Sequence, residues 1–150
     1  RAVGGELQPA VSVSEAQFIQ VDLNRADLSG KYPVYTADGE TGTIHAILAS
    51  GLAGNGIVEL IRNYWPVDYT LTHTYYLRSP ESAWSILQAG DGYVAKPGDQ
   101  DEAVIRDVTL GYFEGEEPQM YLQPIYVFMG DGGFLGYVPA LSPNQQGPSQ

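Results

Sequence analysis

The sequence predicts an α+β fold: a twisted antiparallel sheet arranged as a meander, with one short helix packed on it. Three observations carry this prediction. Residues 79–90 hold one compact helix signal, and residues 92–139 hold four strand-like runs separated by turn chemistry. Eleven tyrosines, 18 glycines and 10 prolines then shift the composition toward strands and turns, because aromatic rings pack on pleated surfaces while Gly and Pro punctuate them.

In chain order, residues 1–15 mix Gly, Pro, Ser and small apolar residues without periodicity and read as a flexible arm or linker. Over residues 17–23, Ile19, Val21 and Leu23 alternate with Gln20 and Asp22, the period-two pattern of a half-buried strand. A turn region spans 24–30, and 32–36 is a short extended piece whose Pro33 suits an edge or a strand start. Asp38-Gly39 carries a tight-turn signal, and alternation resumes through Ile44, Ala46 and Leu48, so residues 32–48 read as a hairpin. The glycine-rich stretch 50–56 is a turn; it is not a phosphate loop, since no Lys-Ser/Thr pair follows it. Residues 56–65 satisfy a strand or a helix, and the weight of β-branched and aromatic side chains favours the strand. The Thr/Tyr alternation over 68–78 reads as a further strand.

Ser79-Pro80-Glu81 is the strongest helix start in the chain. Ser can cap, Pro is tolerated at the first helical position, and Glu favours the positive end of the helix dipole. Ala83, Trp84 and Leu87 form one apolar face, and Gly90 offers a left-handed stop. A helix this short is marginal alone, so it must dock on the sheet, with Trp84 as its anchor. The runs 92–95, 103–113, 120–128 and 134–139 follow, and their short connections imply antiparallel pairing. In the longest, Val104, Val108, Leu110 and Tyr112 share a face with Arg106, which must snorkel, while Asp107 and Thr109 take the other. The expected organisation is one domain over 16–141, with a flexible tail at 142–150.

Eighteen acids against seven bases give a formal charge of −11. Such a surface repels nucleic acid and anionic membranes. No apolar run approaches the roughly 20 residues that span a bilayer. The start at Arg1 suggests a mature or trimmed product, so any membrane connection would run through an anchor absent from this chain. With no cysteine, disulfides, thiolate catalysis and Cys-based metal sites are excluded, and the composition fits an extracytoplasmic or cell-surface bacterial protein.

Residues 21–39, 77–95, 104–128 and 133–139 together resemble the extracytoplasmic domains of membrane-anchored bacterial proteins of the YycH/YycI and PepSY-like regulatory class. The resemblance spans residues 17–139 and is strongest after Ser79. It implies a helix with a Ser-Pro-Glu start packed on a twisted antiparallel sheet, in an anchored sensor, inhibitor or regulatory domain acting by protein contacts. It carries over no functional residues.

Each candidate for chemistry competes with a plainer reading. His45 and His73 lie on separate expected strands, as scattered structural histidines do, and no Gly-x-Ser-x-Gly turn accompanies them. Asp91, Asp99, Asp101 and Glu102 have the oxygen chemistry calcium needs but not the spacing of an EF-hand loop, so they read as a solvated acidic loop. Glu114, Glu116 and Glu117 read as a solubilising hairpin tip. No catalytic residue, cofactor or metal ligand is expected. Tyrosines supply the partner-binding candidates: Tyr93, Tyr112, Tyr121, Tyr126 and Tyr137 lie along the meander, and further rings stand at Tyr64, Trp65, Tyr69, Tyr75 and Tyr76. So many rings cannot all be buried with their hydroxyls satisfied, although aromatic ladders commonly just stabilise a sheet. The expected function is a non-enzymatic, extracytoplasmic regulatory or protein-binding domain. The alternative is a structural subunit of a surface assembly or filament whose N-terminal arm adds a strand to a neighbour, consistent with homo-oligomers.

Overall fold

Among the described residues, the apolar runs form eight strands in two sheets. The computed structural model describes residues 18–49, 56–99 and 102–142. The expected arm at 1–15, the break over 50–55 and the tail beyond 142 lie outside the described residues. In order the elements are β1 (Phe18–Leu23), β2 (Val34–Tyr35), β3 (Ile44–Ala49), β4 (Gly56–Arg62), α1 (Pro80–Gln88), β5 (Tyr93–Lys96), β6 (Ile105–Phe113), β7 (Gln123–Gly130), a 3₁₀ turn (Asp131–Gly133) and β8 (Leu135–Pro139). The fold is α+β. A three-stranded sheet has the order β1-β3-β4, and a five-stranded sheet the order β2-β6-β7-β8-β5.

The five-stranded sheet holds the core. Strands β6, β7 and β8 form an antiparallel meander, as their short connections require. The unbroken apolar run Ile125–Phe128 is buried along its whole length because β7 is central and covered on both faces. On one face Tyr126, Phe128, Val138 and Ala140 meet Ala83, with Trp84, Ile86 and Leu87 of α1 packed around them. On the other, Ile125, Val127, Leu135 and Tyr137 pack with Tyr35 and Phe113.

Helix α1 forms where its signals stand. The Ser79 hydroxyl accepts from the Ser82 N–H at 3.2 Å, Pro80 opens the first turn, and Gly90 takes φ +81° just past the last turn. The helix docks through Ala83, which is fully buried, while Trp84 is half-buried with its ring 5.8 Å from that of Phe128. The small residue sets the close approach, and the large one packs beside it.

Four expectations are corrected. Residues 32–48 do not form a hairpin: β2 runs parallel to β6 in the large sheet, whereas β3 pairs with β1 and β4 in the small one. The Asp38-Gly39 segment therefore carries the chain between sheets, with the Asp38 carboxylate accepting from the Glu40 and Thr41 N–H groups. Residues 68–78 form no strand: their backbone pairing is the isolated Leu77–Leu141 bridge with its flanking Arg78 N–H to Ala140 carbonyl and Ser142 N–H to Tyr76 carbonyl bonds, too short a ladder to make a strand. β5 pairs with β8 and not with β6, so the meander has three strands, bordered by β5 on one side and parallel β2 on the other. Arg106 does not snorkel along an apolar face; an irregularity in the β6–β7 register turns it out to an exposed bidentate pair with Asp131 at 2.8 and 2.5 Å. The open choice at 56–65 resolves to strand β4 over Gly56–Arg62.

Candidate functional site

Among the described residues, the small sheet leaves seven large apolar side chains exposed: Phe18, Ile19, Leu23, Ile57, Val58, Leu60 and Ile61. Directly opposed residues of antiparallel strands share a face. The register Ile19–Leu48–Ile57, Val21–Ala46–Leu60 and Leu23–Ile44–Arg62 therefore aligns eight apolar side chains on one side, with Arg62 at its end. Ile57 is 63 % exposed, Leu60 59 % and Leu23 55 %. An apolar sheet face normally buries itself against a second layer, and a contiguous exposed patch of this kind marks a contact surface.

The opposite side of the same sheet is polar at one end. His45 of β3 is buried between its neighbour strands, with Nδ1 2.8 Å from Asp22 Oδ1 of β1 and Nε2 3.6 Å from a Glu59 oxygen of β4. Burial opposes ionisation of Asp22. Hydrogen bonds from the Gln20 amide, the Gly42 N–H and His45 outweigh it and hold the carboxyl below its ordinary value. This cluster ties the three strands together. His73 is exposed beside Tyr75, on a separate segment.

Between the two sheets a cleft of about 150 Å³ is lined by Thr36, Asp38, Thr43, Asn63, Glu114 and Glu116, among others. Two of its three carboxylates are already engaged. Burial opposes ionisation of Asp38, but Thr41 and Thr36 hydroxyls and the Glu40 and Thr41 amides hold it low. Glu114 is buried and takes both Nε (3.0 Å) and Nη2 (2.5 Å) of Arg25. Arg25 also donates from Nη2 to the Trp65 carbonyl and from Nη1 to the Tyr69 hydroxyl, and its guanidinium lies 4.2 Å from the centre of the Tyr64 ring. The Glu114 hydrogen bond, opposed by burial, raises the Arg25 pKa further above its already high value. Groups so fully satisfied serve as a clamp between segments 24–25, 64–69 and the end of β6.

Of the expected site residues, Tyr93 and Tyr137 meet ring to ring, and they do so within the sheet. Tyr126 and Tyr137 are buried core residues, and their hydroxyls donate inward to the Arg78 and Thr36 carbonyls at 2.9 and 3.2 Å, so neither presents a ring to a partner. Burial, with Tyr35, Asp38 and Tyr93 nearby, raises the Tyr137 pKa well above the phenol range. Tyr112 is half-buried at an edge-to-face angle to Tyr32, whereas Tyr93 and Tyr121 are exposed. Tyr93 stacks on Tyr137 at 5.9 Å, part of a ladder that stabilises the sheet. Of the acidic groups, Asp91, Asp99 and Glu102 are exposed and Asp101 lies outside the described residues; among the described residues no three His, Asp or Glu side chains gather as a metal-holding group. Glu114 is not part of a solvated tip, although Glu116 and Glu117 are exposed.

Reading the residues missed the apolar face because alternation alone shows that a strand has one apolar side, not whether anything covers it. The available signal was that Ile57, Val58, Leu60 and Ile61 leave too few polar residues in β4 for a strand covered on one side only. Comparison with family models, with curated proteins and with solved structures found no match.

Proposed function

We propose that the chain is a non-enzymatic, extracytoplasmic regulatory or protein-binding domain that works by surface contact through its three-stranded sheet. The observation that carries this reading is the apolar face formed by Ile19, Val21, Leu23, Ile44, Ala46, Leu48, Ile57 and Leu60, of which Ile19, Leu23, Ile57 and Leu60 are exposed and the other four half-buried. The cysteine-free, acidic composition supports an extracytoplasmic setting. The resemblance to the YycH/YycI and PepSY-like regulatory class supports contact with a protein as the mode of action. The full protein in its native cells, carrying a photo-crosslinking amino acid at Ile57 or Leu60, is expected to form a covalent adduct with another protein. The same probe at exposed Gln88 on α1 is expected to form none. Absence of an adduct from both face positions overturns the reading, as does substrate turnover by the purified chain that disappears in His45→Ala or Asp22→Asn.

A further inference from the structure

We infer that the outer edge of β1 pairs, antiparallel, with β1 of a second copy of this chain, joining two three-stranded sheets into one of six strands centred on Val21. The inference rests on the protein-contact reading of this sheet and names its edge partner.

Open strand edges present unpaired N–H and C=O groups, and proteins blunt them with short strands, bulges or charge. Three of the four sheet edges here follow that rule. β2 has two residues, and the stretch of β6 that it leaves unpaired carries Arg106, Asp107 and a register irregularity; β5 has four residues and an irregular register with β8, and β4 carries a bulge where Val58 is inserted between Glu59 and Ile57 in the pairing with β3. β1 is the exception. Its six residues pair with β3 in unbroken register, it contains a single charged residue, Asp22, and among the described residues no strand pairs with its outer side.

The pattern of β1 selects the occupant. When β1 meets itself about Val21, Ile19 falls opposite Leu23 of the second copy, Val21 opposite Val21, and Gln20 opposite Asp22 of the second copy. Apolar meets apolar on the open face, which becomes continuous across the seam. On the polar face an amide meets a carboxylate, and the Gln20 amide that reaches Asp22 at 2.7 Å along its own strand can reach the one across the seam instead. A register shifted to centre on Gln20 would set Phe18 against Asp22, so the sequence distinguishes one alignment from the next. The interface is isologous, as closed dimers require.

Charge and area set its strength. Each chain carries −11, so two copies repel, and the seam itself offers no like-charge pair to add to this. Screening therefore favours association, the reverse of a complex held by ion pairs. A six-residue edge covers less than the ~800 Å² per partner of a standard interface, so the dimer is reversible and dependent on concentration.

The test uses the full chain. Sedimentation equilibrium across a concentration series at low and high salt is expected to show a monomer–dimer equilibrium that tightens with salt. Gln20 is exposed, so its variants spare the core: Gln20→Lys is expected to tighten the dimer and Gln20→Glu to loosen it, each by about two- to tenfold. The same charge change at Gln88 is expected to move it far less. Because the chain has no cysteine, Val21→Cys gives each copy one thiol, placed opposite its counterpart in the seam; mild oxidation is expected to link it into dimers several-fold faster than Ile57→Cys. Monomer at every concentration and salt, with Val21→Cys no faster than Ile57→Cys, overturns the inference and leaves the protein-contact reading to the crosslinking result at Ile57 and Leu60. Dimers in which Ile57→Cys links faster overturn it in favour of face-to-face packing.

Discussion

Arg25 and Glu114 stand 89 residues apart in the chain and meet as a bidentate ion pair whose side chains are 2 % and 1 % exposed. The pair sits where the loop after β1, the segment after β4 and the end of β6 converge, so it joins the two sheets. Taking such charges out of water costs about as much as their attraction returns, but leaving one alone is far worse. Glu114→Gln or Arg25→Leu is therefore expected to destabilise the fold by about 3–5 kcal/mol in urea denaturation. The double variant Arg25→Leu/Glu114→Leu is expected to recover much of that loss. A purely additive double variant would show that the pair is not coupled.

Gly39 supplies a second link between the loop after β2 and the large sheet. Its φ of +68° is one that side-chain-bearing residues rarely adopt, and a Cβ there would press on the Leu135 side chain and stand 2.7 Å from the Tyr137 hydroxyl, so those groups would have to shift. Gly39→Ala is expected to cost about 1–3 kcal/mol from backbone strain and displacement of core atoms together. Thermal unfolding checks this, and an unchanged midpoint would show that the loop shifts freely.

At the helix, the buried small residue and its larger neighbour predict different outcomes. Ala83→Leu is expected to force α1 off β8 at a cost of about 1–3 kcal/mol. Trp84→Ala is expected to cost about 2 kcal/mol, below the range for a fully buried ring, because Trp84 is only half-buried. Equilibrium denaturation of the two variants orders them.

Asp22 makes stability depend on pH in one direction. Its carboxyl is held below its ordinary value of 3.8 in the folded chain. The contribution is therefore fully present above that value and is lost as pH falls below it toward the folded value. Asp22→Asn is expected to lower stability at neutral pH and to flatten the acid limb as pH falls through and below about 3.8. Asp38, also held low, retains part of the slope in that variant. An acid limb as steep as that of the parent chain would remove Asp22 from the balance.

The open face predicts an unusual tolerance. Leu60 is 59 % exposed, so Leu60→Ser is expected to change stability by no more than about 0.5 kcal/mol while abolishing the partner adduct. A loss of several kcal/mol would mean that the face is packed in the folded chain.

Much of the fold was legible. The cap at Ser79, the stop at Gly90, the alternation in β1, β3 and β6 and the apolar, turn-bounded runs of β7 and β8 are local signals, and each formed the element it indicates. Signals whose meaning depends on a distant partner were misleading. The Thr/Tyr alternation over 68–78 reads as well as β1 does yet has no strand to join, and Tyr126 and Tyr137 look like surface rings until β7 and β8 are seen to be covered on both sides. Of the candidate surface, Ile19, Val21 and Leu23 were recognised as one side of a strand, but that this side stays open was not.

By itself the sequence determined that the chain folds as α+β, where its helix begins and ends, which strands alternate, and that a chain without cysteine has no thiol chemistry. These follow from backbone and solvation preferences that act over a few residues or over the whole composition. Only the tertiary structure decided that β2 leaves β3 to lie parallel to β6, that Arg25 finds Glu114, and that, among the described residues, one sheet keeps exposed apolar side chains on one face and no strand beside β1. Those outcomes depend on which segments compete for the same neighbour, and that competition is settled by packing across the chain, beyond the reach of any local pattern.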